Sequence, residues 1–441
     1  MKYYLWTIGC QMNFADSRQL AEELDRLGFR QAGRAEEADL VLLNTCVVRQ
    51  SAEDKVVGRL TSLKGLKRRR PGMRLALVGC FVGEAAALRQ RYPWVDAFIA
   101  PSDIDSVVAF ALQAAAGLRR EGGDELPGDV SVRLPLRPAT PVAAGVPISY
   151  GCDHFCTYCI VRLRRGPEVS RPLPEISAQV RDLAGRGVRE VTLLGQNVDS
   201  YGHDLPPWAP GQDPPNLADL LEAVHPAEGL LRIRFLTSHP ADMTGRLIDT
   251  AARLPKVCEH IELPVQSGDD SVLRRMGRGY TVAQYRALVE HIRAAMPGAS
   301  LATDVIVGFP GETEAQFEAT YHLLQDLRFD MVHVAAYSPR HGTPAERLPD
   351  DVPAEEKERR RRAVDELQER IVGETNAGLL GTTVEVLVED RHRGKWRGRT
   401  RTNKLVFFDI DGTGLQGELV QARINHTGPW SLQAEPVPAS H

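Results

Sequence analysis

Three cysteines crowd into the stretch GCDHFCTYCIVRLRRG (151–166), at Cys152, Cys156 and Cys159, with C-x3-C-x2-C spacing. Thiolates are the usual ligands of iron–sulfur clusters, and a cubane held entirely by protein takes four of them. Three leave one iron open, and an open coordination position is what a reaction needs. A structural zinc site asks for four protein ligands, and here the fourth would have to be His154, cramped between the cysteines, or a distant residue. A disulfide framework fits poorly, because 7 cysteines in 441 residues is sparse and odd in number, and no secretory signal precedes them. The loop therefore reads as a cluster site, and the chain as an enzyme.

Those thiols need elements to position them. Residues 1–117 alternate apolar runs with helical patterns, which predicts βα units in a doubly wound parallel sheet. Strands are expected at 3–8, 40–44, 75–78 and 97–100, and helices at 16–27, 51–69, 83–90 and 102–115. Cys10, Cys46 and Cys80 each follow the carboxyl end of a strand, the edge where open α/β sheets bind ligands. The topology would thus gather a second trio of thiolates, again one ligand short. A single strand-end cysteine is most often a packed small hydrophobe, which is how Cys258 reads.

Residues 118–145 are broken by Gly122, Gly123 and several prolines and read as a linker, with one short strand at 130–134. The alternation resumes over 146–370. Six strands at 146–150, 190–194, 232–236, 260–264, 302–308 and 332–337 predict a partial (β/α)6 barrel, whose working residues belong at the strands' carboxyl ends. Residues 371–437 show short strands and turns, predicting a small C-terminal β-barrel of the kind that takes nucleic acid. From Arg391 to Arg401 every second residue is basic. An extended segment would gather these charges on one face, with Trp396 and Phe407 as stacking surfaces. The region from 371 onward holds 8 basic and 8 acidic side chains, so only their segregation argues for a phosphate-binding surface; the alternative is a solvated edge strand.

Bulk composition is that of a globular protein, 43% hydrophobic and 25% charged. No apolar run approaches the roughly 18 residues of a membrane span, and MKYYLWTIGC reads as a strand, which predicts a cytoplasmic protein with no membrane partner. The net charge of −4 excludes a uniformly basic nucleic-acid binder but not a local patch.

The C-x3-C-x2-C loop resembles the signature of the radical-SAM superfamily. The resemblance implies a 4Fe-4S cluster on Cys152, Cys156 and Cys159, whose open iron binds S-adenosylmethionine for one-electron cleavage to a 5′-deoxyadenosyl radical. Phe155 and Tyr158 would pack around cluster and adenine. Gln196, Asn197, Gln266 and Asp304, at or near later strand ends, are candidate SAM contacts, the last within DVIVGFPGET (304–313). A second trio in an N-terminal α/β domain, a radical-SAM barrel and a C-terminal module resembling the TRAM domain together resemble the methylthiotransferase family over nearly the whole chain. The resemblance implies an auxiliary 4Fe-4S cluster on Cys10, Cys46 and Cys80 that supplies or carries the inserted sulfur. SAM would serve as both methyl donor and radical source, on a tRNA anticodon loop. Arg397, Arg399, Arg401 and Lys404 would bind RNA. A one-electron donor such as flavodoxin or ferredoxin and a monomeric state are further expectations.

GCQMNFADS (9–17), YSPRHGTPA (337–345) and GRTRTNKLVFF (398–408) resemble the branch that modifies isopentenyl-adenosine beside the anticodon. The alternatives are threonylcarbamoyl-adenosine or a ribosomal-protein aspartate as target. From another class, the alternative is an iron–sulfur RNA-binding protein without SAM chemistry. Arg18, Asp153 and the proline-free run 160–166 depart from the family pattern. Asn13 and Asn44 read either as hydrogen bonders at the auxiliary cluster or as plain turn residues.

Overall fold

The computed structural model describes residues 1–48, 50–83, 85–121, 141–209, 211–409 and 414–437. The strand expected at 130–134 lies outside them. The chain divides into two units: residues 1–138 with 150–153 and 159–167, and residues 139–149 with 154–158 and 168–441.

In the first unit, strands β1 (Lys2–Thr7), β2 (Arg30–Gln31), β3 (Leu40–Thr45), β4 (Arg74–Gly79) and β5 (Ala97–Ile99) form one parallel sheet in the order β2-β1-β3-β4-β5. The near-continuous apolar run of β3 is what a strand covered on both faces requires. Alternation along it sends Leu40 and Leu42 to one face and Val41 and Leu43 to the other. Helices α1 (Gln11–Arg26) and α4 (Ile104–Glu121) cover the first face through Leu20, Leu24, Val107 and Ala111. On the second, α2 (Gln50–Arg69) packs through Val56, Leu60, Leu63 and Leu66, joined by α3 (Ala85–Arg91). The sheet is doubly wound. Helix α1 begins at Gln11, five residues before the expected start, because the helix grows directly out of the Cys10 turn.

In the second unit, β6 (Ala143–Pro147), β9 (Glu190–Leu194) and β10 (Arg232–Leu236) pair in parallel, as do β11 (His260–Glu262), β12 (Ser300–Val307) and β13 (Met331–Ala336). The Ser238 N–H donates to Glu262 O at 3.3 Å and joins the two ribbons. The result is a six-stranded partial barrel. Short strands β7 (Ser149–Tyr150) and β8 (Val169–Ser170) and the one-turn helix α5 (Val161–Arg165) lie around the cysteine loop in sequence. Helices α6 (Leu173–Gly185), α7 (Leu217–Val224), α8 (Gly245–Arg253), α9 (Asp270–Met276), α10 (Val282–Ala295), α11 (Glu314–Leu327) and α12 (Ala354–Ala377) complete the α elements. Several starts are fixed by side-chain caps: Asn216, Thr281 and Thr313 each close a capping box, and Thr244 accepts from Leu247 N.

Strands β14 (Thr383–His392), β15 (Lys395–Thr400), β16 (Leu405–Phe408), β17 (Leu419–Thr427) and β18 (Leu432–Pro436) close into a barrel around Val386, Val406, Phe408 and Ile424. β14 turns into β15 through Arg393 (φ +50°) and Gly394 (φ +88°), a two-residue hairpin with positive φ at both positions. Arg391 and Arg393 therefore do not share the strand of Lys395, Arg397 and Arg399. Trp396, expected as a stacking surface, points into the barrel core at 5% exposure.

Candidate cluster-binding sites

In the first unit, β1, β3 and β4 are neighbours with their carboxyl ends on one edge. Chain direction across the sheet reverses between β1 and β3, the switch point where open α/β sheets bind ligands. Cys10 and Cys46 flank that point and Cys80 follows β4. The approach is close. Gly9 has φ +141°, and a Cβ there would lie 2.7 Å from both Asn13 Oδ1 and Cys46 Cβ. Asn13 and Asn44 are buried structural ties, more than turn residues. Asn13 Nδ2 donates to Asn44 Oδ1 at 2.9 Å and to Thr45 O at 3.0 Å, and Asn44 Nδ2 donates to Asn13 O at 2.8 Å. Cys10 Sγ donates to Asn13 Oδ1 at 3.2 Å.

Cys46 and Cys80 are buried and Cys10 is exposed. Burial pushes the Cys80 thiol up, the Arg165 guanidinium pulls it back down, and Cys46 and Cys10 push it up again. The Cys80 thiol thus feels the other two and one arginine. Among the described residues, the one set of three His, Cys or carboxylate groups with ligand atoms within 4.8 Å is His154, His239 and Asp242. Cys10, Cys46 and Cys80 are not such a set.

The loop cysteines are anchored differently. Cys152 and Cys159 belong to the first unit and Cys156 to the second. The Cys152 N–H donates to Gly166 O at 3.2 Å, and Arg162 Nη1 donates to Cys152 O at 3.2 Å and to Asp153 Oδ1 at 2.9 Å. In the second unit, buried Arg278 donates from Nη1 to Cys156 Sγ at 3.4 Å, from Nη2 to Pro264 O at 3.0 Å and from Nε to Tyr280 Oη at 3.1 Å. Phe155, expected to pack around cluster and adenine, is 73% exposed, and Tyr158 packs against the apolar cluster of Val272, Met276 and Phe309.

Polar groups collect at the carboxyl ends of β9 and β10. His154 Nε2 shares a hydrogen bond with Asp242 Oδ2, which also accepts from Asn197 Nδ2 at 2.6 Å. The His154 and His239 rings stack at 3.7 Å, and His239 meets Tyr280 edge-on at 5.9 Å. Burial, then Arg278 and His154, hold His239 far below the ordinary imidazole range, so it is neutral. Asp199, buried, accepts from Ser238 Oγ and His239 N, each at 3.0 Å, and burial pushes its carboxyl up to about 8. Among the described residues, His239 Nε2, Asn197 Oδ1 and Ser149 Oγ are buried without a hydrogen-bond partner, an unmet demand that a polar ligand would answer. Of the other expected SAM contacts, Gln266 (φ +70°) is bridged to β12 through its backbone, its N–H donating to Asp304 O at 2.9 Å, and Gln196 is half-buried.

The basic C-terminal segment is largely committed within the second unit. Arg401 forks onto Glu259 at 2.7 and 2.8 Å, and Lys404 pairs with Asp330 at 2.8 Å. Buried Arg232 and Arg234, from β10, donate to the carbonyls of Arg399, Thr400 and Arg401 at 2.7–2.8 Å. Glu259, Asp330 and Arg232 stand at the amino ends of barrel strands. The 400–404 turn thus docks beneath the barrel, opposite the carboxyl-end polar cluster. Arg397 forks onto Asp390 at 2.6 and 2.9 Å, and Arg399 Nε lies 3.4 Å from Glu389. Arg397, Arg399 and Lys395 remain 31%, 39% and 45% exposed.

Arg165, Arg278, Asp199 and Asp242 were not singled out as site residues from the sequence. The i, i+3 pair in HPAD (239–242), directly after a strand, was the available signal for Asp242.

The Radical SAM superfamily profile matches residues 146–324, that of Uncharacterized protein family UPF0004 matches 2–100, and that of the TRAM domain matches 379–437. A radical S-adenosylmethionine methyltransferase, TsrM, from Kitasatospora setae shares the fold at TM-score 0.55, with 14% identity over 78% of this chain and 77% of that one. The profile makes residues 146–324 a radical SAM domain, of the superfamily that binds a 4Fe-4S cluster and SAM, and the shared fold agrees with it.

More particularly, the chain belongs to the family of tRNA-2-methylthio-N(6)-dimethylallyladenosine synthases. The synthase of Dehalococcoides mccartyi (strain CBDB1) is 51% identical over 98% of both chains. That of Chloroflexus aurantiacus is 50% identical over 99% of this chain and 91% of its own.

Proposed function

We propose that the chain converts isopentenyl-adenosine beside the tRNA anticodon to its 2-methylthio derivative. Cys152, Cys156 and Cys159 would hold the 4Fe-4S cluster that binds SAM, and Cys10, Cys46 and Cys80 an auxiliary 4Fe-4S cluster through which sulfur is delivered. The observation that carries this reading is the meeting of Cys10, Cys46 and Cys80 at one sheet edge, in a chain half identical to named synthases along its length. The donor set fits: three thiols at one sheet edge, beside a buried arginine that suits an anionic cofactor. When bound and reduced by one electron, the cluster–SAM pair supplies the radical that activates a C–H bond, and SAM is also the methyl source.

The chain's own residues position and shield. Arg278 hydrogen-bonds Cys156 and ties it to the β11 end through Pro264 O. The unpartnered Asn197 and His239 atoms offer hydrogen bonds to a polar ligand at the barrel's carboxyl end, and Asp242 holds the His154 ring in place. Neutral His239 can serve as donor or acceptor without adding charge. Lys395, Arg397 and Arg399, on the outer face of β15, are the proposed phosphate contacts. Arg401 and Lys404, expected for RNA, contribute by docking the small barrel.

The test is anaerobic incubation with SAM, a reductant and tRNA carrying isopentenyl-adenosine, followed by mass spectrometry of the nucleosides. The 2-methylthio derivative of that nucleoside is expected. Methylthiolation only of threonylcarbamoyl-adenosine would contradict the substrate.

A further inference from the structure

Arg165 is the last residue of α5, six residues beyond Cys159, yet it sits in the pocket of the other cysteine trio. The segment is pinned there from several sides. Ile160 is buried in the apolar cluster that contains Cys80, Phe81 and Val82. Arg164 lies against Gly83, where a Cβ would come 2.2 Å from its Nη1. The Arg165 side chain is 2% exposed; Nη1 donates to Ser102 Oγ at 3.0 Å, and Nη2 lies 3.8 Å from Asp16 Oδ2. Asp16 also accepts from Ser102 Oγ at 2.9 Å. Among the described residues, neither Nη2 nor Asp16 Oδ1 meets a nitrogen or oxygen hydrogen-bond partner, and the Cys80 thiol is the group beside the guanidinium. A buried guanidinium with an unused donor is costly unless an anion answers it. The groups whose negative charge would stabilise it are Cys80, Asp16 and Cys10.

Resting on the auxiliary-cluster reading above, we propose that Arg165 is a positioning residue of the Cys10–Cys46–Cys80 site. It supplies the buried positive charge that faces the thiolates, and so raises the potential at which a cluster held there accepts an electron. Asp16 moderates that charge. Cluster potentials follow net charge and hydrogen bonds to the sulfurs. A fixed cation favours the more negative reduced state, and a fixed carboxylate disfavours it. The two neighbours should therefore act with opposite sign, which a loss of packing would not produce.

The experiment uses the full chain with C152A, C156A and C159A combined, so that only the auxiliary site can load. Protein reconstituted without oxygen is titrated with dithionite in the presence of mediators at pH 8 and followed by electron paramagnetic resonance. Dithionite splits at its S–S bond into two sulfur dioxide radical anions, each of which gives one electron through the mediators and leaves as sulfite, and no bond of the iron–sulfur core is made or broken. The background protein should hold about four irons, one cubane's complement. R165M should lower the reduced-to-oxidised ratio at fixed potential at least tenfold, about 59 mV for a one-electron couple. R165K should lie between, and D16N should shift upward. An unchanged potential in R165M, or equal-sign shifts in R165M and D16N, overturns the proposal. If R165M takes up no iron, D16N decides: an upward shift supports it, and no shift or a downward one overturns it. A background protein without iron would contradict the auxiliary-cluster reading itself and take this proposal with it.

Discussion

The two cysteine trios solve one problem in opposite ways. Cys152, Cys156 and Cys159 lie within eight residues, and their spacing is a property of the chain. Cys10, Cys46 and Cys80 are gathered by a sheet, across gaps of 36 and 34 residues, and their proximity is a property of the fold. One cysteine of each trio is met by a buried arginine, Cys156 by Arg278 and Cys80 by Arg165. A local motif can be read directly. A dispersed one is legible only through the topology that brings strand ends together.

The largest expected effect tests whether the trios do different jobs. Alanine at Cys156 should abolish both tRNA methylthiolation and reductive release of 5′-deoxyadenosine from SAM. Alanine at Cys80 should abolish methylthiolation while leaving that release measurable by chromatography. Loss of both activities in both variants would erase the distinction.

Legibility differed by region for physical reasons. Helices α7, α8, α10 and α11 are legible because each starts at an Asn or Thr cap that the sequence displays. The alternating arginines misled because Arg393-Gly394 can take positive φ at both positions, so a hairpin turn falls inside what reads as one strand. Arg165 could not be assigned, since nothing in its local sequence says which pocket it enters.

The next effect separates docking arginines from exposed ones. Arg234→Met removes a buried group that donates to two carbonyls and lies 3.0 Å from Glu190. It should cost about 3 kcal/mol in chemical denaturation, the scale of a broken buried pair.

Smaller is a pH effect specific to the barrel. The Asp199 pKa of about 8 lies above its unfolded value, so the folded state binds the proton more tightly. The stability this confers is complete below about pH 4 and lost as pH rises through about 8. Thermal unfolding midpoints should fall from pH 6 to pH 9, and Asp199→Asn should flatten the slope.

The smallest effect lies on β15. Arg397→Gln with Arg399→Gln should leave the unfolding midpoint nearly unchanged. It should weaken tRNA binding and reduce the slope of log affinity against log salt by about one to two. An unchanged slope would return these residues to a solvated edge.

The most direct test of two clusters in one chain is an iron count. Anaerobically reconstituted protein should carry about eight irons, and about four when either trio is replaced by alanine, by two-cubane arithmetic. A count of about four in the intact chain, unaffected by replacing Cys10, Cys46 and Cys80, would contradict the account.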